Sequence, residues 1–158
     1  MCYSLKSIIN KAGHKTNLYT SPHLLSYTER YIFDDKEINE EDLIELLTDV
    51  EKTLGDDNAT LFEILTCAFI KLAENFKDNI NIIEAGLFHQ FDSTNVFKGN
   101  LMTLIGVIHN DHFQWLENKS IEGVIYEKTA KLLNSNIFVN KQVNNQIRYK
   151  IERSLEKN

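Results

Sequence analysis

At 158 residues the chain has the length of one domain with a single core, and its formal net charge is −6. That charge and a pI near 5.4 exclude the basic face that a nucleic acid or an anionic membrane would require. No apolar run reaches the about 18 residues of a membrane helix and no signal-peptide pattern opens the chain; Cys2 and Cys67 are too few for a disulfide framework or a zinc site, so a reduced, cytoplasmic compartment is expected.

Taken in order, Leu5, Ile8, Ile9 and Ala12 stand at helical spacing, and Gly13 is a stop. Residues 17–20 read as a short apolar strand that runs into a loop holding the only proline, Pro22. Proline fixes its own φ and pushes Ser21 out of the helical region. The loop carries the hydroxyls of Thr20 and Ser21, the His23 imidazole, Leu24 and a Glu29–Arg30 pair; from composition alone it reads as a polar turn. Tyr31, Ile32, Phe33 and Ile38 around Asp34-Asp35-Lys36 predict a β-hairpin with an Asp turn.

Asn39 is placed to N-cap a helix with Glu40, Glu41 and Asp42 in its first turn, a stripe of Leu43, Leu46, Leu47 and Val50, and Gly55 past its end. Those acids are read as partners of the helix dipole rather than as a metal cluster. Residues 60–76 predict a second helix: Thr60 and Glu63 form a capping box, Leu61, Ile64, Leu65, Ala68, Phe69 and Leu72 pack, and Cys67 is expected to be a small buried residue. Residues 79–87 are a buried strand ending in Glu84 and Gly86. A carboxylate at the carboxyl end of a parallel strand is well placed to hold a cation.

Residues 101–108 form another strand, leading into His109-Asn110-Asp111-His112. With Glu84 these residues could make a zinc or manganese set, or the loop could carry two histidines and no ligand. Ser120 caps a helix expected to run to Leu133, with Val124, Ile125, Ala130 and Leu133 apolar and Glu127-Lys128 on it. A strand over 137–139 and a polar helix over 142–155 close the chain. No Gly-x-x-x-x-Gly-Lys-Ser/Thr occurs in the 158 residues.

Thr20-Ser21-Pro22-His23-Leu24, followed by Ser26-Tyr27-x-Glu29-Arg30, resembles the folate-binding loop of folylpolyglutamate and dihydrofolate synthases. Those are ATP-dependent amide-bond formers of the Mur ligase superfamily. Four later blocks resemble the family in order, and the similarity spans residues 2–139. They are Thr60-Leu61-Phe62-Glu63-Ile64-Leu65-Thr66; Glu84 with Asp92-Ser93-Thr94-Asn95; Asp111-His112; and Glu127-Lys128. The chain departs from the pattern where Phe88-His89-Gln90 replaces Gly-Gly-Arg, where Glu117 follows Leu116 in place of glycine, and where Thr129-Ala130-Lys131 replaces Ala-Gly-Ile.

The resemblance implies Ser21, Glu84 and His112 as magnesium ligands. Lys128 would support them as the catalytic lysine that Mur-type ligases commonly carbamylate. Thr20, Ser21, Pro22, His23 and Leu24 would be the pterin contacts. It implies ATP and Mg2+ as cofactors, and folate or dihydropteroate and glutamate as substrates.

The expected fold is α/β, a mostly parallel sheet flanked by helices. It would be a partial Mur-ligase central ATP-binding domain over 1–158, without its first strand, its phosphate loop or the glutamate-binding domain. An isolated chain without that loop is expected to be inactive, and an exposed sheet edge implies marginal stability or association. Two other readings stand beside this one: a non-catalytic pterin- or folate-binding remnant, and a small metal-dependent hydrolase built on Glu84, Asp111 and His112.

Overall fold

The computed structural model describes residues 1–132 and 135–156. The chain divides into two compact units, Met1–Ala85 and Gly86–Asn158.

In the first unit, helix α1 (Cys2–Lys11) leads into β1 (Thr16–Tyr19), and a 3-10 turn (Tyr27–Arg30) precedes β2 (Tyr31–Phe33) and β3 (Lys36–Glu37). Helices α2 (Glu40–Leu54) and α3 (Leu61–Ala73) follow, and β4 (Ile80–Ile83) closes the unit. The strand order is β3-β2-β1-β4. Strand β1 runs antiparallel to β2 and parallel to β4.

All four residues of β1 are buried because both faces of the strand are covered. On one face the Thr16 hydroxyl donates to Asn10 of α1 (2.7 Å). On the other, Tyr19 enters an aromatic cluster with Tyr31, Phe33 and Phe69 of α3. The buried polar groups find partners, as an interior requires: Asn17 bridges Asn81 and Asn79 at 2.8 Å each, and the Tyr31 hydroxyl donates to the Leu65 carbonyl at 2.8 Å. Burial pushes the Tyr31 phenol up, with Tyr19 adding to the shift, so it stays a donor.

Local chemistry sets the element ends. Asp34 and Asp35 both take positive φ (47° and 66°), the conformation a tight hairpin turn needs. Asp35 is tied to Lys6 and Asn10, and Asp34 to Lys15 (3.1 Å) and Asn79 (2.8 Å). Asn39 caps α2 through the Asp42 N–H (2.8 Å), and Gly55 ends it at φ +61°. The Thr60–Glu63 capping box opens α3.

The second unit carries β5 (Met102–Ile105), a 3-10 turn (Phe113–Trp115), α4 (Ile121–Thr129), β6 (Asn136–Val139) and α5 (Asn145–Leu155). Strands β5 and β6 pair in parallel, and α4 packs on α5 around Ile105, Ile108, Val124, Ile125 and Ile151.

The structure corrects several expectations. The expected parallel pairing holds in part: among the described residues β1–β4 and the separate β5–β6 pair are parallel, whereas β1–β2 and β2–β3 of the four-stranded sheet are antiparallel, the latter because the Asp turn folds β3 straight back on β2. Cys67 is exposed; it stands four residues from Glu63 and from Lys71 on the outward stripe of α3. Leu61, in the first turn of α3, is 58% exposed rather than packed, and Ile8 points off the α1 stripe into solvent.

Helix α3 stops at Ala73 because i→i−3 bonds from Asn75 and Phe76 tighten the chain there. Helix α4 stops at Thr129 because Ala130 is extended and Lys131 takes φ +58°; Leu133 lies outside the described residues. Gln142 is no helical residue. Its buried amide donates to the Gly106 and Asn140 carbonyls and accepts the Ile108 N–H, tying off the end of β5. Helix α5 begins after Asn144, whose side chain accepts the Ile147 N–H (2.9 Å).

A Cβ on Gly123 of α4 would stand 2.6 Å from the Asn118 carbonyl oxygen and 3.3 Å from Leu116 Cδ1. Gly→Ala in a helix is ordinarily stabilising by about 1 kcal/mol. Here overpacking outweighs that term, and Gly123→Ala is expected to cost about 1–3 kcal/mol in urea denaturation. A gain in stability would contradict the packing described.

Candidate functional site

The loop and the strand-end carboxylate singled out above meet in the first unit. Parallel pairing of β1 with β4 puts Tyr19 opposite Ile83, so Thr20 and Glu84 leave the sheet at the same edge. The Glu84 N–H donates to the Tyr19 carbonyl (2.9 Å), and the Ser21 N–H donates to Glu84 Oε2 (3.1 Å). The start of α1 lies by the same edge: burial pushes the Cys2 thiol up, and the Glu84 carboxylate adds to the shift. The backbone of Ser21 and the Glu84 carboxylate are thereby neighbours, and a carboxylate oxygen is the kind of hard donor that magnesium takes.

Thr20 is buried, and its N–H donates to the Arg30 carbonyl (3.2 Å). Pro22, joined to Ser21 by a cis peptide, is exposed. His23 is half-buried under the Tyr27 ring (centroids 4.2 Å apart), with its Nδ1 accepting from Arg30 Nε at 3.0 Å. Leu24 stands in solvent.

Glu29 and Arg30 do not pair with each other. The Glu29 carboxylate accepts the backbone N–H groups of Leu24, Leu25 and Ser26, which hold it below the ordinary glutamate range. Arg30 is buried against His23 and 5.4 Å from the Tyr27 ring. The spacing Ser26-x-x-Glu29 is a capping box, a pattern from which the role of Glu29 could have been read.

In the second unit, Lys128 is half-buried rather than a plain surface lysine. Its Nζ donates to the Leu87 carbonyl (3.3 Å) and lies 5.7 Å from the Phe88 ring. Burial holds its amine below the ordinary lysine value, against the opposite pull of Asp111 and Asp92.

His112 takes φ +59°; its Nε2 is 3.2 Å from Asp111 Oδ2, and its ring meets Phe88 edge-on at 6.1 Å. Phe88 thus touches both Lys128 and His112 at the place where the resemblance expects glycine. The carboxylate of Asp92 is spent locally on the N–H groups of Gly86, Leu87 and Thr94 and on the Thr94 hydroxyl. Asp92-Ser93-Thr94-Asn95 is therefore a staple for the turn after β4, a role the sequence reading missed.

A cleft of about 660 Å3 in this unit is lined by Trp115, Glu117, Tyr126 and Glu127 among others, and by neither His112 nor Lys128. Among the described residues no three His, Cys, Asp or Glu side chains converge as a metal site, so a zinc or manganese set of Glu84, His109, Asp111 and His112 gains no support. No described helix is long and apolar enough to cross a membrane.

No protein-family model matches the chain. The dihydrofolate synthase/folylpolyglutamate synthase of Escherichia coli K12 is 33% identical over 115 residues, which is 73% of this chain. An E. coli FolC solved with DHPP and ADP superposes over 99% of the chain with a TM-score of 0.86 and 27% identity. The chain belongs to the dihydrofolate synthase/folylpolyglutamate synthase family. A bifunctional folylpolyglutamate synthase/dihydrofolate synthase of Yersinia pestis, solved with AMPPNP and a manganese ion, matches 98% of the chain at a TM-score of 0.82 and 28% identity. The chain spans 27% of the length of the E. coli synthase and 37% of the FolC chain.

Proposed function

We propose that these 158 residues form the substrate-loop and metal-ligand part of a folate–glutamate ligase, at work in the cytoplasm. Thr20, Ser21, Pro22, His23 and Leu24 contact the pterin substrate. Ser21, Glu84 and His112 ligate magnesium, and Lys128 supports that centre. The substrates are folate or dihydropteroate and glutamate, with ATP as the activating nucleotide.

One observation carries this reading: the Ser21 N–H on Glu84 Oε2, which joins the loop that resembles the folate-binding loop to the carboxylate that resembles the magnesium ligand. The relatives' ligands support it from outside, since one FolC holds DHPP and ADP and the Yersinia synthase holds AMPPNP and manganese. Magnesium would supply charge neutralisation on a transferring phosphoryl group. The chain's own residues orient the loop against Glu84 and keep a half-buried amine at Lys128. The lowered Lys128 value fits a lysine that forms a carbamate, because the neutral amine is the form that adds to carbon dioxide, with a proton released to solvent.

The 158 residues form the family's partial central domain and do not complete the ligase cycle alone. ATP phosphates need a backbone cradle and a lysine, and no segment of this sequence has that motif. Folded protein given MgATP, glutamate and dihydropteroate is expected to form no product heavier by one glutamyl unit in mass spectrometry. Such a product would show that other residues supply the cradle and would contradict this part of the proposal.

A further inference from the structure

Leu24 and Leu25 are 90% and 93% exposed, which nothing in the packing of the first unit accounts for. A loop left to itself would fold such a pair onto neighbouring apolar surface. What holds them out is one side chain. Glu29 Oε2 accepts the Leu24 N–H at 2.8 Å, and Oε1 accepts those of Leu25 at 2.8 Å and Ser26 at 2.9 Å. Three successive amides turned onto one carboxylate form a concave nest, a backbone shape with few alternatives.

The base of this nest is fixed in turn. Ser26 Oγ accepts the Thr28 N–H, the Thr28 hydroxyl donates to Glu37 of β3 (2.5 Å), and buried Arg30 grips His23. We propose that Glu29 is the positioning residue of the Thr20–Leu24 loop, its carboxylate fixing Leu24 and Leu25 as an apolar tip that meets the ring system of the ligand. This rests on the reading of that loop as the substrate contact, and it adds a residue that touches no substrate.

Glu29→Gln keeps the size of the side chain but offers one acceptor oxygen to three donors and loses the charge that strengthens each bond. Amide hydrogen exchange at Leu24, Leu25 and Ser26 is expected to quicken by about tenfold or more. Dihydropteroate affinity, read by titration calorimetry, should weaken by a comparable factor. The melting temperature and the protection of Leu18 and Tyr19 should stay as in the unsubstituted chain, which a general loss of structure would not allow. Glu29→Asp keeps the charge one methylene shorter and should fall between the two.

Unchanged exchange at the three amides would overturn the role of the carboxylate. Quickened exchange with unchanged affinity would reduce Glu29 to a cap of the 3-10 turn and overturn the proposal. Failure of the unsubstituted chain to bind dihydropteroate would instead remove the substrate-contact reading, and the positioning role with it.

Discussion

Phe69→Ala is expected to cost the first unit about 3–5 kcal/mol, a large share of the about 5–15 kcal/mol that a domain holds in reserve. Phe69 is buried, and its ring stands 5.1 Å from Tyr19, 5.3 Å from Phe33 and 6.5 Å from Tyr31. It is the contact by which α3 grips β1 and β2. Tyr19 is also the last residue before the Thr20 loop, and its carbonyl accepts the Glu84 N–H, so loss of this core loosens the site as well. Leu61→Ala on the same helix removes a largely exposed side chain and should change stability by no more than about 0.5 kcal/mol. Urea denaturation followed by circular dichroism reads both variants. A Phe69→Ala cost as small as that of Leu61→Ala would show that the cluster is not the unit's core.

Glu84 carries the second large expected effect, and two substitutions separate its two tasks. Glu84→Gln can still accept the Ser21 N–H but is a poor ligand for a hard cation, which takes carboxylate oxygen in preference. Manganese binding, read by electron paramagnetic resonance, is expected to weaken by at least the roughly 10–100-fold that loss of a supporting group costs. Glu84→Ala should lose the metal to the same degree and in addition free the Ser21 amide, so that its hydrogen exchange quickens. Wild-type manganese affinity in both variants would remove Glu84 from the proposed centre.

Much of this was legible in the sequence wherever a few adjacent residues decide the outcome. The Asn39 cap, the Thr60–Glu63 box, the Asp34-Asp35 turn and the Gly55 stop are local chemistry, and the structure has them where they were expected. The meeting of Ser21 with Glu84 was implied by the resemblance alone, and the parallel pairing of β1 with β4 is what brings it about.

What stayed hidden depends on contacts between distant residues or on a side chain's direction. The burial of Gln142 is settled by the Gly106 carbonyl and the Ile108 N–H, more than thirty residues away, and its polarity alone pointed to a surface helix. Cys67 sits among apolar neighbours in sequence, yet the helical turn carries it outward. The β2–β3 hairpin was legible in its Asp turn, but the antiparallel pairing of β2 with β1 is a contact that no strand pattern specifies. Phe88 reads as a lost glycine, and only the fold shows it lodged against Lys128 and His112. Asp92 and Glu29 stand inside the blocks that resemble the family, and only the fold shows that both spend their carboxylates on the backbone of their own loops.

Titration of dihydropteroate into folded protein in the presence of magnesium tests the central claim most directly. The account predicts saturable binding at one site, weakened when His23 or Leu24 is replaced by alanine. Absence of any saturable binding by protein that melts cooperatively would contradict it.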